Sequence, residues 1–396
     1  MTYVDLRPET RPRETVPPLP AGSHDVTFAE LPSLMFASLT RSDQYRKAMY
    51  YLRGLVEAKG RKSIRAIAEL FGDHVSEQNL HHFISASTWD WVPMRQALAE
   101  HLMEVAQPQA WVARLMIIPK SGHQSVGVDR HFFPSLGQVL NAQRAIGVWA
   151  TSEEMAVPLN WRLHLPKTWL KDRRRRSQVS IPDGVGPESL TECLVGVCAE
   201  TVMEWDLPVR PLVVDTCEAH TVTIFEKFAA SGVPLLVKAS RDLRLTVTDP
   251  VLPASEGRVL TAGQIMEQAR NLRRPAAWTD SNPRLPQHTH LAATVRVALP
   301  TSSALPPVCD DLLLLGVGDS HGRGQTELWL TTMTTAQPAS LMRLSRLTEK
   351  VDQDFTAISD RVGIRDFTGR SFDGWHRHVT LASAAHAIVA LTDRPR

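Results

Sequence analysis

The chain has 396 residues, 43% hydrophobic and 22% charged, a balance that supports a packed core in two or three domains and excludes global disorder. A net charge of +2 gives no basic field over the whole molecule, and no apolar run reaches the roughly 18 residues needed to span a bilayer. Four cysteines (Cys193, Cys198, Cys217, Cys309) lack CxxC spacing, which argues against a zinc ribbon or disulfide framework and fits a reducing cytoplasm.

Residues 1–27 read as a proline- and arginine-rich disordered arm without the apolar core of a secretory signal. Helical patterning starts near Phe28, and a helical domain is expected over 28–107. Ser42 to Gly54 is helical and edged by Arg46, Lys47 and Arg53. Ile64, Ile67, Ala68 and Phe71 follow helical spacing up to Gly72, and a second short helix from Ser76 carries Leu80, Phe83 and Ile84. This pair fits a helix-turn-helix, and equally two ordinary helices of a bundle. Arg61, Lys62 and Arg65 edge its first helix as candidate phosphate contacts. Trp89 and Trp91 read as core aromatics.

Beyond Gln107-Pro108 the character changes. Trp111 to Ile118 and Ala142 to Trp149 are apolar runs of strand length. Leu159, Trp161, Leu163 and Leu165 alternate with Asn160, Arg162 and His164, the pattern of a half-buried strand. Arg173, Arg174, Arg175 and Arg176 form a basic loop, by default a solvated strip and in a DNA-binding frame a phosphate contact. A helix over about 187–205 precedes the short strand Val213-Val214-Asp215, and a helix over about 222–230 precedes Leu235 to Lys238. Three strands, then helix, strand, helix, strand, is the element order of a ribonuclease-H-like α/β fold. In that mixed sheet the fourth strand lies beside the first, and a carboxylate ending it sits at the switch point. Residues 108–240 are therefore read as the first part of such a core. Residues 241–333 are read as a β-rich insertion with strands at 292–297 and 327–332, and 334–396 as the core's C-terminal helices.

Four blocks in this order resemble the DDE transposases of bacterial insertion sequences, specifically insertion-sequence family seven-oh-one. They are Pro119-Lys120-Ser121-Gly122 with Ser125 to Val128, Pro158 to Pro166, Val213 to Asp215, and Gly369-Arg370-Ser371 with Gly374 to Leu381. The resemblance runs from about residue 28 onward. It implies a metal-dependent endonuclease in which three carboxylates hold two magnesium ions about 3.5–4 Å apart at a phosphodiester. It also implies double-stranded DNA as partner, with no membrane and a homodimer possible.

Carried over residue by residue, the family's first acidic position falls on Arg114 or Leu115, and no Asp or Glu lies between Glu104 and Asp129. The second position is Asp215. The third is Asp352, where the family has Glu, and a basic residue seven positions later is Ser359 here. Magnesium takes hard oxygen ligands, so neither Arg nor Leu can replace the missing acid. The expectation is a transposase-derived DNA-binding protein with weak or absent cleavage, needing Mg²⁺ only if the site is active. Two alternatives stay open: an active enzyme using Asp129, Asp215 and Asp352, or the fold reused as a protein-interaction or small-molecule module. His376 and His378 are two apart on a helix and make a poor metal pair. Cys217 with His220 lacks an orienting third group for a nucleophile.

Overall fold

The computed structural model describes residues 25–133, 137–215, 219–278, 288–300, 311–318 and 327–393. The expected disordered arm up to residue 24 and Cys217 lie outside them. Five helices come first: α1 (Asp25–Met35), α2 (Ser42–Glu57), α3 (Ile64–Phe71), α4 (Glu77–Ser85) and α5 (Val92–Val105). Ser63 and Ser76 supply the N-caps of α3 and α4, their hydroxyls accepting from Ala66 N at 3.1 Å and Asn79 N at 3.2 Å. Leu80, Phe83 and Ile84 of α4 are buried and its Glu77, Gln78, Asn79, His81 and His82 are outward. Arg53, expected on a positive edge, is instead buried, with its guanidinium 5.6 Å from the Phe71 ring centre.

The sheet begins with β1 (Ala110–Pro119), β2 (Asp129–Phe133), β3 (Gln138–Thr151) and β4 (Ala156–Leu163). Short helices α6 (Lys167–Lys171) and α7 (Arg173–Gln178) follow, then α8 (Leu190–Ala199), β5 (Leu212–Asp215), α9 (Thr221–Phe228) and β6 (Leu235–Lys238). β3 pairs antiparallel with β1 and β4, and β5 pairs parallel with β1 and β6. The first strand is thus flanked by the fourth core strand, as the ribonuclease-H-like order requires. Trp111, Val112, Ala113, Val213 and Val214 are all buried, because helices cover both faces of a sheet with parallel strands.

Two local readings need correction. The strand expected to be half-buried, β4, is buried almost throughout. Trp161 donates from Nε1 to Ser383 on one face, while Arg162 on the other reaches Glu188 at 2.9 Å. Helices pack on both faces, so Asn160 and Trp161 bond core partners, and only the Arg162 side chain reaches solvent. Asn160, fully buried, accepts from the buried Arg95 at 2.8 Å and donates to Thr201 at 3.1 Å. The arginine run, expected as a loop, is the helix α7. Asp172 caps it by accepting from Arg174 N at 2.9 Å and Arg175 N at 3.1 Å, which satisfies N–H groups a loop would leave to water.

The segment read as an insertion continues the same sheet. It contains β7 (Arg244–Val247), β8 (Val259–Thr261), α10 (Ala262–Gln268), β9 (Arg274–Trp278), β10 (His288–Ala298), β11 (Leu312–Gly318) and β12 (Glu327–Thr331). β12 pairs antiparallel with β6, so β11, β10, β7 and β8 follow on beyond it. The chain closes with α11 (Pro338–Asp354) and α12 (Phe372–Thr392). α12 is buried from Phe372 to Ala390, the central pillar between the N-terminal helices and β4. No described helix is long and apolar enough to cross a membrane.

The blocks carrying the family resemblance meet in space. Val126 N donates to Arg370 O at 3.2 Å, and Lys120 Nζ donates to Phe367 O at 2.8 Å. Burial draws the Lys120 ammonium down to about 8. Gly147 faces the Trp161 ring so closely that a Cβ would lie 2.5 Å from it, so any side chain there would push β3 off β4. Conserving volume is then essential: Gly147→Val should leave the protein unfolded or aggregated, measured by soluble yield and near-ultraviolet circular dichroism.

Candidate active site

Three elements converge at the C-terminal end of β5. Parallel pairing sets Arg114 of β1 beside Asp215 of β5 in register. Asp352 comes from α11, which packs across β1 and β5. These are the positions where the family resemblance puts its three acids. Alternation along β1 decides between the two candidates for the first: Arg114 shares the Asp215 face and Leu115 points the other way.

Arg114 occupies the space between the two carboxylates. Its Nη1 donates to Asp215 at 2.8 Å and to Thr348 O of α11 at 3.3 Å, and its Nη2 donates to Asp352 at 2.6 Å. Lys238, at the end of β6, reaches the other Asp215 oxygen at 3.1 Å. Two cations and two carboxylates thus form a neutral cluster. Asp215 is only 13% exposed, whereas Asp352 is 56% exposed. Crowding by its surroundings and the Asp215 charge hold the Asp352 carboxyl above its ordinary value, against the pull of Arg114.

A divalent ion does not fit this donor set. A guanidinium offers donors only, with no lone pair for a metal, and it already engages both carboxylates. Among the described residues, no three His, Cys, Asp or Glu side chains are grouped to hold a metal ion. Asp129 cannot complete the set from where it lies. It begins β2 opposite Ala142, five residues along β3 from the Gly147 that faces Arg114, which is roughly 17 Å away along the strand. The neighbouring acid Asp354 is buried and accepts from Ala156 N at 2.7 Å, a tie between α11 and β4. Ser359 is also buried and bonded to His386.

The other sequence candidates resolve as follows. Lys62 is only 4% exposed, its ammonium bonded to the Ala58 carbonyl and its stem packed under Gly363, so it is unavailable to phosphate. Arg61 is exposed 4.0 Å from Asp366, and Arg65 is exposed and paired with Glu69 at 2.8 Å. Arg173 and Arg174 are exposed. Arg175 lies 4.1 Å over the Trp169 ring and donates to His123 O, and Arg176 donates to Val185 O at 3.1 Å, so both serve local structure. His376 stacks on Trp91 at 4.7 Å and His378 bonds Tyr51 at 2.8 Å, both fully inside the protein. Trp89 stacks on Phe83 at 5.3 Å, in the core as expected. Lys238 and Thr348 were not anticipated. Lys238 had a readable signal, a lone charge ending the apolar run Leu235-Leu236-Val237 just as Asp215 ends its own.

Removing the Asp215 charge should cost stability, because it leaves Arg114 and Lys238 facing each other with only the exposed Asp352 to balance them. Asp215→Asn is expected to lose about 2–3 kcal/mol in urea unfolding, below the roughly 3–5 kcal/mol of a fully buried pair because Arg114 and Lys238 are 27% and 28% exposed. An unchanged unfolding midpoint would mean that the cluster is solvated and contributes little.

A mixed α/β sheet of ribonuclease-H-like order, with three chemically charged positions meeting on β1, β5 and a late helix, defines the nuclease-transposase class of fold. A family model described as DDE superfamily endonuclease matches residues 34–299, well over half of the 396 residues. The chain belongs to that family. The matched residues include Arg114 and Asp215 and end before Asp352. Among curated proteins, the chain is similar to a protein of Microchaete diplosiphon named "Probable transposase for insertion sequence element IS701", 27% identical over 162 residues. That match covers 39% of this chain and 41% of the relative, so it spans about two fifths of the relative's length.

Proposed function

We propose that this chain is a double-stranded-DNA-binding protein of the transposase type whose two-metal cleavage chemistry is absent or severely impaired. The observation that carries this reading is the Arg114 guanidinium bonded to both Asp215 and Asp352. The two-metal route needs anionic ligands on both sides of the reacting phosphodiester, and here a fixed cation stands in the first ligand position. The distance of Asp129 from the cluster argues against its recruitment as a substitute acid. Family membership and the transposase relative support DNA as partner, and in this reading the protein is cytoplasmic, nucleoid-associated when bound to DNA.

The test is a cleavage assay. Purified protein with supercoiled plasmid and linear duplex, in Mg²⁺ or Mn²⁺, should nick and join no more than a protein-free control. Robust cleavage that disappears in folded Asp215→Asn would overturn the reading. Binding is checked separately. Duplex affinity should fall steeply with salt, and Arg173→Gln with Arg174→Gln should flatten the log–log slope by about 2, uniformly across sequences. Arg176→Gln should instead act on stability, because that side chain bonds the 182–185 loop.

A further inference from the structure

The β2–β3 hairpin presents a face that the core does not use. Along β2, Arg130 and Phe132 point outward, while Phe133 is buried. Pairing sets Arg130 opposite Asn141 and Phe132 opposite Val139. Phe132 is 61% exposed and Val139 49% exposed, so a large apolar cross-strand pair stands in water near the hairpin end. β2 is also the edge of the sheet.

The surroundings of this pair are basic. Asn141 lies 3.5 Å from the His123 ring, and the backbone carbonyl of His123 accepts from Arg175 of α7 at 3.1 Å. Through His123 the Arg130–Asn141 end of the hairpin is linked to α7, where Arg173 and Arg174 are exposed. No ion pair involves the side chains of Arg130, Arg173 or Arg174 among the described residues. The nearby carboxylates Asp172 and Asp129 accept from backbone N–H groups and form no ion pair with these three side chains. An apolar pair on the same face as the unpaired Arg130, with further exposed arginines on the helix linked to the hairpin's other end, matches one surface chemistry in particular. Duplex DNA offers phosphates on both sides of a minor groove with apolar sugar walls, and exposed apolar side chains there wedge between base faces and open base steps.

We propose that this hairpin is a DNA-deforming edge. Phe132 and Val139 press into the minor groove, and Arg130, Arg173 and Arg174 hold the flanking phosphates. The inference rests on the DNA-binding reading above and adds to it the surface and the mode of contact.

The full chain with Phe132→Ser, with Val139→Ser and with both tests it, on an end-labelled duplex whose bend is read by energy transfer between its ends. Phe132→Ser should weaken binding about ten-fold and reduce the bend, because base–aromatic contact is lost. The salt slope should stay unchanged, since no phosphate contact is removed. Arg130→Gln should do the reverse, flattening the slope by about 1 and leaving the bend of the saturated complex intact. Each change is at an exposed position, and matching circular dichroism and unfolding midpoints confirm the fold. Wild-type binding and bending that Phe132→Ser leaves untouched would overturn this inference and spare the DNA-binding reading. No duplex binding by wild type at low salt would overturn the reading itself. Phe132→Ser shifting a monomer–dimer equilibrium without altering the bend would assign the face to a second copy of the chain, and so against DNA.

Discussion

Replacing Arg114 by aspartate is expected to create a divalent-cation site where the native side chain bridges two carboxylates. The native cluster of Arg114, Lys238, Asp215 and Asp352 is neutral and internally bonded. Arg114→Asp removes the cation that separates the carboxylates and supplies a third oxygen ligand from the central strand. Three carboxylates and one lysine leave a net charge of −2, which repels itself without an ion and suits hard-ligand Mg²⁺ or Mn²⁺. The metal-free variant should unfold at lower urea than wild type. Manganese should then restore it, by about 2.7 kcal/mol at a hundred-fold excess over the dissociation constant. Wild type should show no such gain. A second change, Asp215→Asn, in the same variant should abolish the rescue. If manganese leaves Arg114→Asp unaltered, the three positions do not converge as described.

Acid should destabilise this protein steeply, and the cause is a set of neutral histidines in the core. His378 sits between Tyr51 and Gly363 O, and His386 between Ser359 and Ala156 O. In each ring Nε2 donates to a carbonyl, which leaves Nδ1 to accept from a hydroxyl. A second ring proton would break that arrangement without water to replace it. Burial lowers His164 and His378 to about 4 and His386 to about 3, and it holds His376 well below the ordinary value. Their folded values are depressed, so between pH 6.5 and about 4 the unfolded chain binds protons that the folded chain refuses. Stability is therefore full above about pH 6.5 and is lost as pH falls toward 4. Four such rings titrating together give a limiting slope of about 5 kcal/mol per pH unit, comparable to a large share of a domain's whole stability. The urea midpoint should drop by more than half between pH 7 and pH 5. His386→Gln should reduce that slope by about a quarter. A flat midpoint over this range would mean that the rings become charged inside the fold.

Strand order was legible because the core strands are apolar runs that must be buried on both faces, and parallel pairing then follows from the helix between them. Leu312 to Val317, an equally apolar run, escaped notice because proline-rich flanks made the region read as loops. The pairing of β12 with β6 is a contact over some ninety residues of chain, for which no local pattern exists. The motifs narrow the altered position to Arg114 or Leu115, whereas the choice of Arg114 and its bonds to both remaining acids depend on strand register and on the helix α11 crossing above. Lys62 does not edge the helix, because α3 starts at Ile64 and the distant Gly363 turn covers the lysine stem ahead of it. The arginine run differs as well: Asp172 turns it into a capped helix, and two of its four guanidinium groups are held inward.

The central claim is that the family's metal position is filled by a side-chain cation. Manganese binding to the wild-type protein, titrated by electron paramagnetic resonance with Asp215→Asn alongside, tests it most directly. The account predicts that the free-ion signal falls no further with wild type than with Asp215→Asn at submillimolar Mn²⁺. A stoichiometric, tightly held ion in wild type that vanishes in Asp215→Asn would contradict it.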